Sequence, residues 1–434
     1  MNDARSEAPI TLAQASRYWL WLGFISFGGP AGQIAIMHQD LVEKRRWISE
    51  RRFLHALNYC MVLPGPEAQQ LATYIGWLMH GTRGAIVAGG LFVLPSLFVL
   101  VGLSWLYMAL GADITTHALY GIKPAVVAVV TFAAWRIGKK VLKQTELWVV
   151  AIAAFLAVCL MAPFPLIVLS AGALGWLLRR RLSSGDAHGV AASTVHVPAL
   201  IDDDTPIPRH ALFSRARLLK ILLAGFALWG LGFLLVMQAD ITLAQMASFF
   251  SKAALVTFGG AYAVMPYVFQ ATVEQYQWLT PAQMLDGLAL GETTPGPLIM
   301  VVAFIGFVGA WTHVLSFSPV IAGVLGACVA TYFTFLPSFV FILAGGPLVE
   351  HTRKDFKLAG PLAAVTAAVV GTILYLATFL AWHVFWPSGI VVQPDWFALA
   401  LAVTAWWVLY KEKLGMIPVI LLCGITGAVW RYWM

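Results

Sequence analysis

Leu63-Pro64-Gly65-Pro66 is the stretch on which the reading of this chain turns, because its Pro-Gly-Pro core occurs again as Thr294-Pro295-Gly296-Pro297. Pro64 maps onto Pro295 at an offset of 231 residues. The same offset carries Phe27-Gly28-Gly29 onto Phe258-Gly259-Gly260 and Trp47 onto Trp278. Three landmarks at one spacing mark an internal duplication. Proline removes a backbone donor and clashes with the preceding helical turn, while glycine adopts conformations closed to other residues. Each triplet therefore ends one helix and begins another inside apolar sequence. Within a bilayer, backbone freed in this way persists only where protein buries it or it lines a polar cavity. The breaks thus predict the binding site of a transporter.

Composition agrees with a membrane setting. Of 434 residues, 60% are hydrophobic and only 11% charged, with a mean hydropathy of +0.81; soluble domains carry about 25% charged residues. Runs such as Ala85–Leu110 and Ile221–Met237 exceed or approach the roughly 20 residues that span hydrocarbon. The expected class is all-α and polytopic. A net charge of +7 could suggest nucleic acid, but the basic residues are scattered in short loops, as membrane topology requires. Cys60, Cys159, Cys328 and Cys423 lie singly in apolar runs, which suits small buried residues and neither a disulfide framework nor a metal site. The polar start Met1–Ile10 has no signal-peptide pattern. With no phosphate loop, no dinucleotide fingerprint and no convincing carboxylate or histidine constellation, neither ATP-driven transport, an enzyme nor a cofactor is expected.

Residues 1–182 form the first repeat, 183–217 a cytoplasmic linker and 218–434 the second repeat, whose motif copy opens near Ile241. Ser49 is placed as the N-cap of a helix running to Val62, and Thr280-Pro281-Ala282-Gln283 reads as a capping box at the matching point. Leu94-Pro95-Ser96 returns as Leu336-Pro337-Ser338, and Pro124 as Pro361. The linker, with Ser-Ser-Gly-Asp and Asp202-Asp203-Asp204, reads as exposed. Asp113–His117 reads as a turn.

Charge distribution orients the halves. The first copy carries Lys44, Arg45, Arg46, Arg51 and Arg52 before its Pro-Gly-Pro, whereas the matching Gln270–Gln283 has Glu274 and no cation. Further on the asymmetry reverses, with Arg353, Lys354 and Lys357 answering a stretch without lysine or arginine, Asp113–Ile122. Basic short loops face the cytoplasm, so the two copies are expected to be inverted, with discontinuous helices meeting near the midplane. Glu50–Val62 and Glu67–Met79 are too short to cross alone, at about 20 Å each. They read as a re-entrant hairpin with Pro-Gly-Pro at its tip, or alternatively as one kinked span.

Helix N-termini expose unpaired N–H groups and partial positive charge, a natural anion site. The candidate binding residues are therefore Gly28, Gly29, Pro64, Gly65, Pro66 and Gln70, with Gly259, Gly260, Pro295, Gly296 and Pro297. Lys252, inside an apolar run, either counters a bound anion or snorkels to the interface. Glu67 and Glu292 flank the two breaks and could cap a helix or carry a coupling proton. Ser26, Gln69, Thr257, Thr293 and Thr294 could donate to an oxyanion or bond a helix carbonyl.

The strings Phe27-Gly28-Gly29-Pro30-Ala31, Trp47-Ile48-Ser49 and Leu63-Pro64-Gly65-Pro66 with Gln70, together with Thr257-Phe258-Gly259-Gly260 and Thr294-Pro295-Gly296-Pro297, resemble the chromate ion transporter family over both halves, as in its long-chain, two-domain members. The resemblance implies a multi-pass protein of the bacterial inner membrane that exports chromate from the cytoplasm and confers chromate resistance, with sulfate as the look-alike anion. A homodimer is an expected assembly. Four converging helix N-termini suit a tetrahedral dianion, although Glu67 sets a carboxylate beside the site where the second copy has Leu298. An anion channel built on the same breaks is the alternative.

Overall fold

The computed structural model describes residues 10–27, 29–160, 162–178, 199–203, 205–206, 208–258, 260–351, 359–387, 393–411 and 414–433. The protein is an all-α polytopic membrane protein. The first copy runs α1 (Leu12–Ile25), α2 (Gly29–His38), α3 (Glu50–Val62), α4 (Glu67–Leu119), α5 (Ile122–Val141), α6 (Thr145–Cys159) and α7 (Phe164–Leu177). After the linker comes α8 (Arg215–Ala239). The second copy follows with α9 (Ile241–Val256), α10 (Ala261–Phe269), α11 (Pro281–Thr293), α12 (Val301–His313), α13 (Pro319–His351), α14 (Ala359–Phe385), α15 (Trp396–Tyr410) and α16 (Met416–Trp433). Among the described residues, five helices are long and apolar enough to cross a membrane by themselves.

Local chemistry sets the helix ends. Thr11 and Thr280 each form a capping box, with Gln14 and Gln283, and Pro281 occupies the first turn of α11. The Ser49 side chain accepts from the Arg52 amide, capping α3. Such caps satisfy N–H groups that a helix start otherwise leaves open. Pro95 lies inside α4, whose non-helical dihedrals fall instead at His80, Gly81 and Gly111. Helical backbone resumes after Gly111 and continues to Leu119, so the turn expected over Asp113–His117 is helical and the break sits on the preceding glycine.

The 231-residue offset holds for the backbone itself. A π-helical turn at Gln39–Lys44 repeats at Gln270–Gln275. Arg46 and Gln277 both take positive φ, 52° and 54°, as do Gly29 and Gly260 (73° and 92°) and Gly65 and Gly296 (125° and 101°). Leu41 O accepts from the amides of Trp47 and Ile48, and Thr272 O accepts from those of Trp278 and Leu279. Among the described residues helix α8 has no counterpart in the first copy, and it leaves most of its apolar surface outward-facing.

The copies interlock rather than sit side by side. α4 packs against α13; α5 packs against α15 and α16 of the second copy, and α14 packs against α6 and α7 of the first. One continuous core joins Val126 and Val130 of α5 to Phe250, Tyr262, Phe304 and Leu376 of the second copy. The outer faces carry exposed Leu169, Leu177, Phe226 and Leu235, as surfaces turned to lipid tails do.

The linker is not wholly exposed. Its end lies along the basic loop of the first copy: Leu200 N donates to Arg46 O, Ile201 N to Trp47 O and Ser49 N to Ile201 O. Ile201 is buried, and the Ser49 hydroxyl donates to Asp203 at 2.7 Å. An apolar residue in a polar stretch explains the departure, since burying Ile201 and pairing three backbone groups offsets the ordering of so few residues. Arg353, Lys354 and Lys357 lie outside the described residues.

Candidate functional site

The two Pro-Gly-Pro triplets meet at the interface between the halves. Gly65 N donates to Thr257 O at 2.7 Å, and Gly296 N donates to Ser26 O at 2.7 Å. Ser26 and Thr257 are the C-caps of α1 and α9, pseudo-equivalent positions. Each triplet thus satisfies the first helix end of the other copy, so the contacts are related by exchange of the halves. The same exchange governs the Leu-Pro-Ser repeats: a Cβ built on Gly65 would lie 2.5 Å from Ser338 Oγ, and one on Gly296 would lie 2.5 Å from Ser96 Cβ. Gly29 and Gly260 also face across the junction, with Tyr262 nearest the first and Pro30 nearest the second, at 3.9 and 3.7 Å from a built Cβ.

Helix starts gather here. α2 begins at Gly29, α4 immediately after Pro66, and α10 after Gly260, while Pro297 leads into a short 3₁₀ turn and then α12. Their first amides have no intrahelical acceptor. Pro64, Gly65, Pro66, Pro295, Gly296 and Pro297 are therefore brought together with Gly29, Gly260 and Gln70. Gly28 and Gly259 lie outside the described residues. Lys252 is exposed on α9.

Buried polar side chains surround the triplets. Gln70, with 0% exposure, donates from Nε2 to Pro64 O (2.8 Å) and Ser338 Oγ (3.3 Å). The Thr257 hydroxyl donates to Ala253 O at 2.6 Å. On the other triplet, Gln33 Nε2 donates to Gly296 O at 2.6 Å. Ser26, Ser96 and Gln33 are all buried, yet Ser26 Oγ, Ser96 Oγ and Gln33 Oε1 lack a hydrogen-bond partner among the described residues. Such groups are rare in folded proteins because each costs about 1–3 kcal/mol.

The flanking carboxylates differ. Glu292 is buried on α11 and accepts from the Tyr262 hydroxyl at 2.6 Å, which ties α10 to α11. Glu67 is half-buried in the first turn of α4. Two charged clusters join the halves away from the triplets. Lys123 Nζ lies 3.0 Å from Asp286 Oδ1, and Tyr107 donates to Asp286 Oδ2 at 3.0 Å. Arg52 NH1 lies 4.0 Å from Glu350 Oε2, while Tyr74 donates to Glu350 Oε1 at 2.6 Å. Arg52 also donates to Thr205 O of the linker, so this cation in the first turn of α3 is a buried tie to the linker and to Glu350 of the other half. Asp286, Glu350, Gln33 and Ser96 escape sequence reasoning; a carboxylate in an apolar helix was the available signal for Asp286. Among the described residues no group of three histidines, cysteines or carboxylates could hold a metal.

A profile described as chromate transporter matches residues 13–176 and again 244–428. The chain is 34% identical to a chromate transport protein of Pseudomonas aeruginosa, covering 98% of this chain and 95% of that one. It is 30% identical to a chromate transport protein of Cupriavidus metallidurans over 86% and 83% of the two chains. An uncharacterised transporter of Methanocaldococcus jannaschii is 25% identical over 94% and 92%. No solved structure matches the chain. These relatives carry the names of transport proteins, not of enzymes.

Proposed function

Because the chain belongs to the chromate transporter family, we propose that it exports chromate, or a similar tetrahedral oxyanion such as sulfate, from the cytoplasm across the bacterial inner membrane. The reading rests on one observation: each Pro-Gly-Pro triplet donates to the end of the first helix of the other copy, Gly65 N to Thr257 O and Gly296 N to Ser26 O, which gathers helix N-termini from both halves at one junction. N–H groups and positive dipole ends converging in a low-dielectric setting favour an anion.

Inverted halves are part of the proposal. The exchanged contacts and the repeated backbone fit a pseudo-two-fold relation between the copies. The reversed distribution of basic loops supports it. Close packing of Gly296 against Ser96 and of Gly65 against Ser338 favours a carrier over an open anion channel. Moving a dianion out of a negative interior is electrically downhill by about 2.3 kcal/mol per charge per 100 mV; the potential alone would drive it.

Everted membrane vesicles test this directly. They are expected to accumulate labelled chromate, with sulfate competing; no accumulation above vesicles lacking the protein refutes the assignment. A proton requirement is tested at Glu292, the buried carboxylate nearest the second triplet. If it carries a coupling proton, Glu292→Gln flattens the pH dependence of transport and uncouples it from an imposed proton gradient, while Tyr262 still has an amide oxygen to bond. A pH profile like that of wild type removes Glu292 from coupling.

A further inference from the structure

The backbone at the junction is nearly symmetric, but the side chains are not. Around Gly65, the Thr257 hydroxyl is spent on Ala253 O and Gln70 Nε2 on Pro64 O and Ser338 Oγ, which leaves the Ser338 hydroxyl proton and the buried Gln70 Oε1 unpaired among the described residues. Around Gly296, Ser26, Ser96 and Gln33 are 0%, 0% and 1% exposed and keep three polar atoms unpaired among the described residues. All three are anchored against the same glycine. Ser26 O accepts from Gly296 N, Gln33 Nε2 donates to Gly296 O, and Ser96 Oγ lies 3.0 Å from a Cβ built there. The bond to a carbonyl fixes the Gln33 amide, so its free oxygen is an acceptor.

We propose that the oxyanion is seated on one side of the pseudo-symmetric junction, at Gly296, with the hydroxyls of Ser26 and Ser96 as its side-chain donors and Gln33 holding the glycine carbonyl. This rests on the reading that the junction carries an oxyanion and adds which half-site holds it. A hydroxyl with no protein acceptor is free to donate to an anion at no loss elsewhere, whereas the Thr257 hydroxyl would first have to break a bond. Gln33 Oε1 receives the O–H of a water or of the anion's protonated form. The Gly296 side offers two free hydroxyls, Ser26 and Ser96, against one on the Gly65 side, where Ser338 Oγ only accepts from Gln70 Nε2.

The seat is tested with Ser26→Ala and Ser96→Ala, against Thr257→Val on the Gly65 side, whose hydroxyl is spent on Ala253 O. In everted vesicles each of the first two raises the apparent KM for chromate about tenfold or more, the effect of one hydrogen bond to a charged partner. Thr257→Val raises it several-fold less. A second readout is independent of transport: in purified protein without anion, Ser26→Ala and Ser96→Ala leave Tm unchanged or higher, since an unpaired buried hydroxyl is removed. Equal KM changes on both sides, wild-type KM in the two seat variants, or a fall in their Tm each overturns the seat. If wild-type vesicles take up no chromate, the transport reading itself fails; if they do and the seat variants behave as wild type, only the seat fails.

Discussion

Gly296→Ala is expected to lose nearly all transport and to lower the stability of the purified protein by about 3–5 kcal/mol. Two costs combine. Gly296 holds φ at 101°, a left-handed conformation that costs a side-chain-bearing residue about 1–3 kcal/mol. Its new methyl group would also stand 2.5 Å from Ser96 Cβ. That carbon is fixed to the helix α4 backbone and cannot swing away, so relief requires the second triplet to move off Ser26 O. Overpacking of this kind costs about 1–3 kcal/mol. Gly65→Ala, at φ 125°, meets Ser338 Oγ and Gln70 Nε2 at 2.5 and 2.6 Å; these are ends of side chains, so the clash is cheaper but displaces the Gln70 bonds. Gly260→Ala has positive φ but nothing nearer than 3.7 Å, leaving about 1–3 kcal/mol of backbone strain and no clash. Thermal unfolding in detergent should therefore rank Gly296 and Gly65 well below Gly260. Gly102, helical with no neighbour within 4 Å of a built Cβ, should accept alanine without loss. Equal tolerance at Gly296 and Gly102 would rule out the tight junction.

What the chain discloses in one dimension follows from how local each constraint is. Proline and glycine act on their own backbone, so the four breaks, the two caps at Ser49 and Thr280, and the split of α4 near Gly81 are legible from residue identity. The paired π turns obey the 231-residue spacing, but no propensity suggests them. The fold class follows from apolar runs for the same reason. The contacts that make the junction are non-local: nothing near Gly65 in sequence says that its amide meets Thr257, or that Ser338 lies against it. The Leu-Pro-Ser repeat marks Ser96 and Ser338 as equivalent, yet their partners appear only when the halves are packed. Gln33 has glutamine's neutral signature in an amphipathic stretch and gives no warning. Arg52 sits in a basic stretch, where topology explains it cheaply, and burial against Glu350 and Thr205 adds a second role. Lys252 stands out in sequence, since charge inside an apolar run attracts notice, and the structure sets it exposed on α9, apart from the buried polar groups around Gly296.

Asp286→Ala is expected to cost about 3–5 kcal/mol, the penalty for stripping one partner from a buried ion pair. The carboxylate is 4% exposed and Lys123 17%, with 3.0 Å between Nζ and Oδ1. Alanine would leave the ammonium without its counter-charge and the Tyr107 hydroxyl without its acceptor. The pair spans the halves: Lys123 opens α5 and Tyr107 lies on α4, whereas Asp286 belongs to α11. Because α11 also carries Glu292 and ends at the second triplet, loosening it should reduce transport more than the fall in folded protein explains. The double variant Lys123→Met with Asp286→Leu separates charge from packing. Replacing a buried pair by apolar residues of similar size is often neutral in stability, so Tm should return to within a few degrees of wild type. Transport should stay impaired if the pair must break and re-form as the halves move, and should recover with Tm if the pair only holds the fold. The cycle across Lys123→Met, Asp286→Leu and the double variant should show a coupling energy of at least about 1 kcal/mol, on the order expected for contacting residues. Additive losses would mean that Lys123 and Asp286 do not pair in the membrane, and α11 would then be held to the first half by Tyr107 and apolar packing alone.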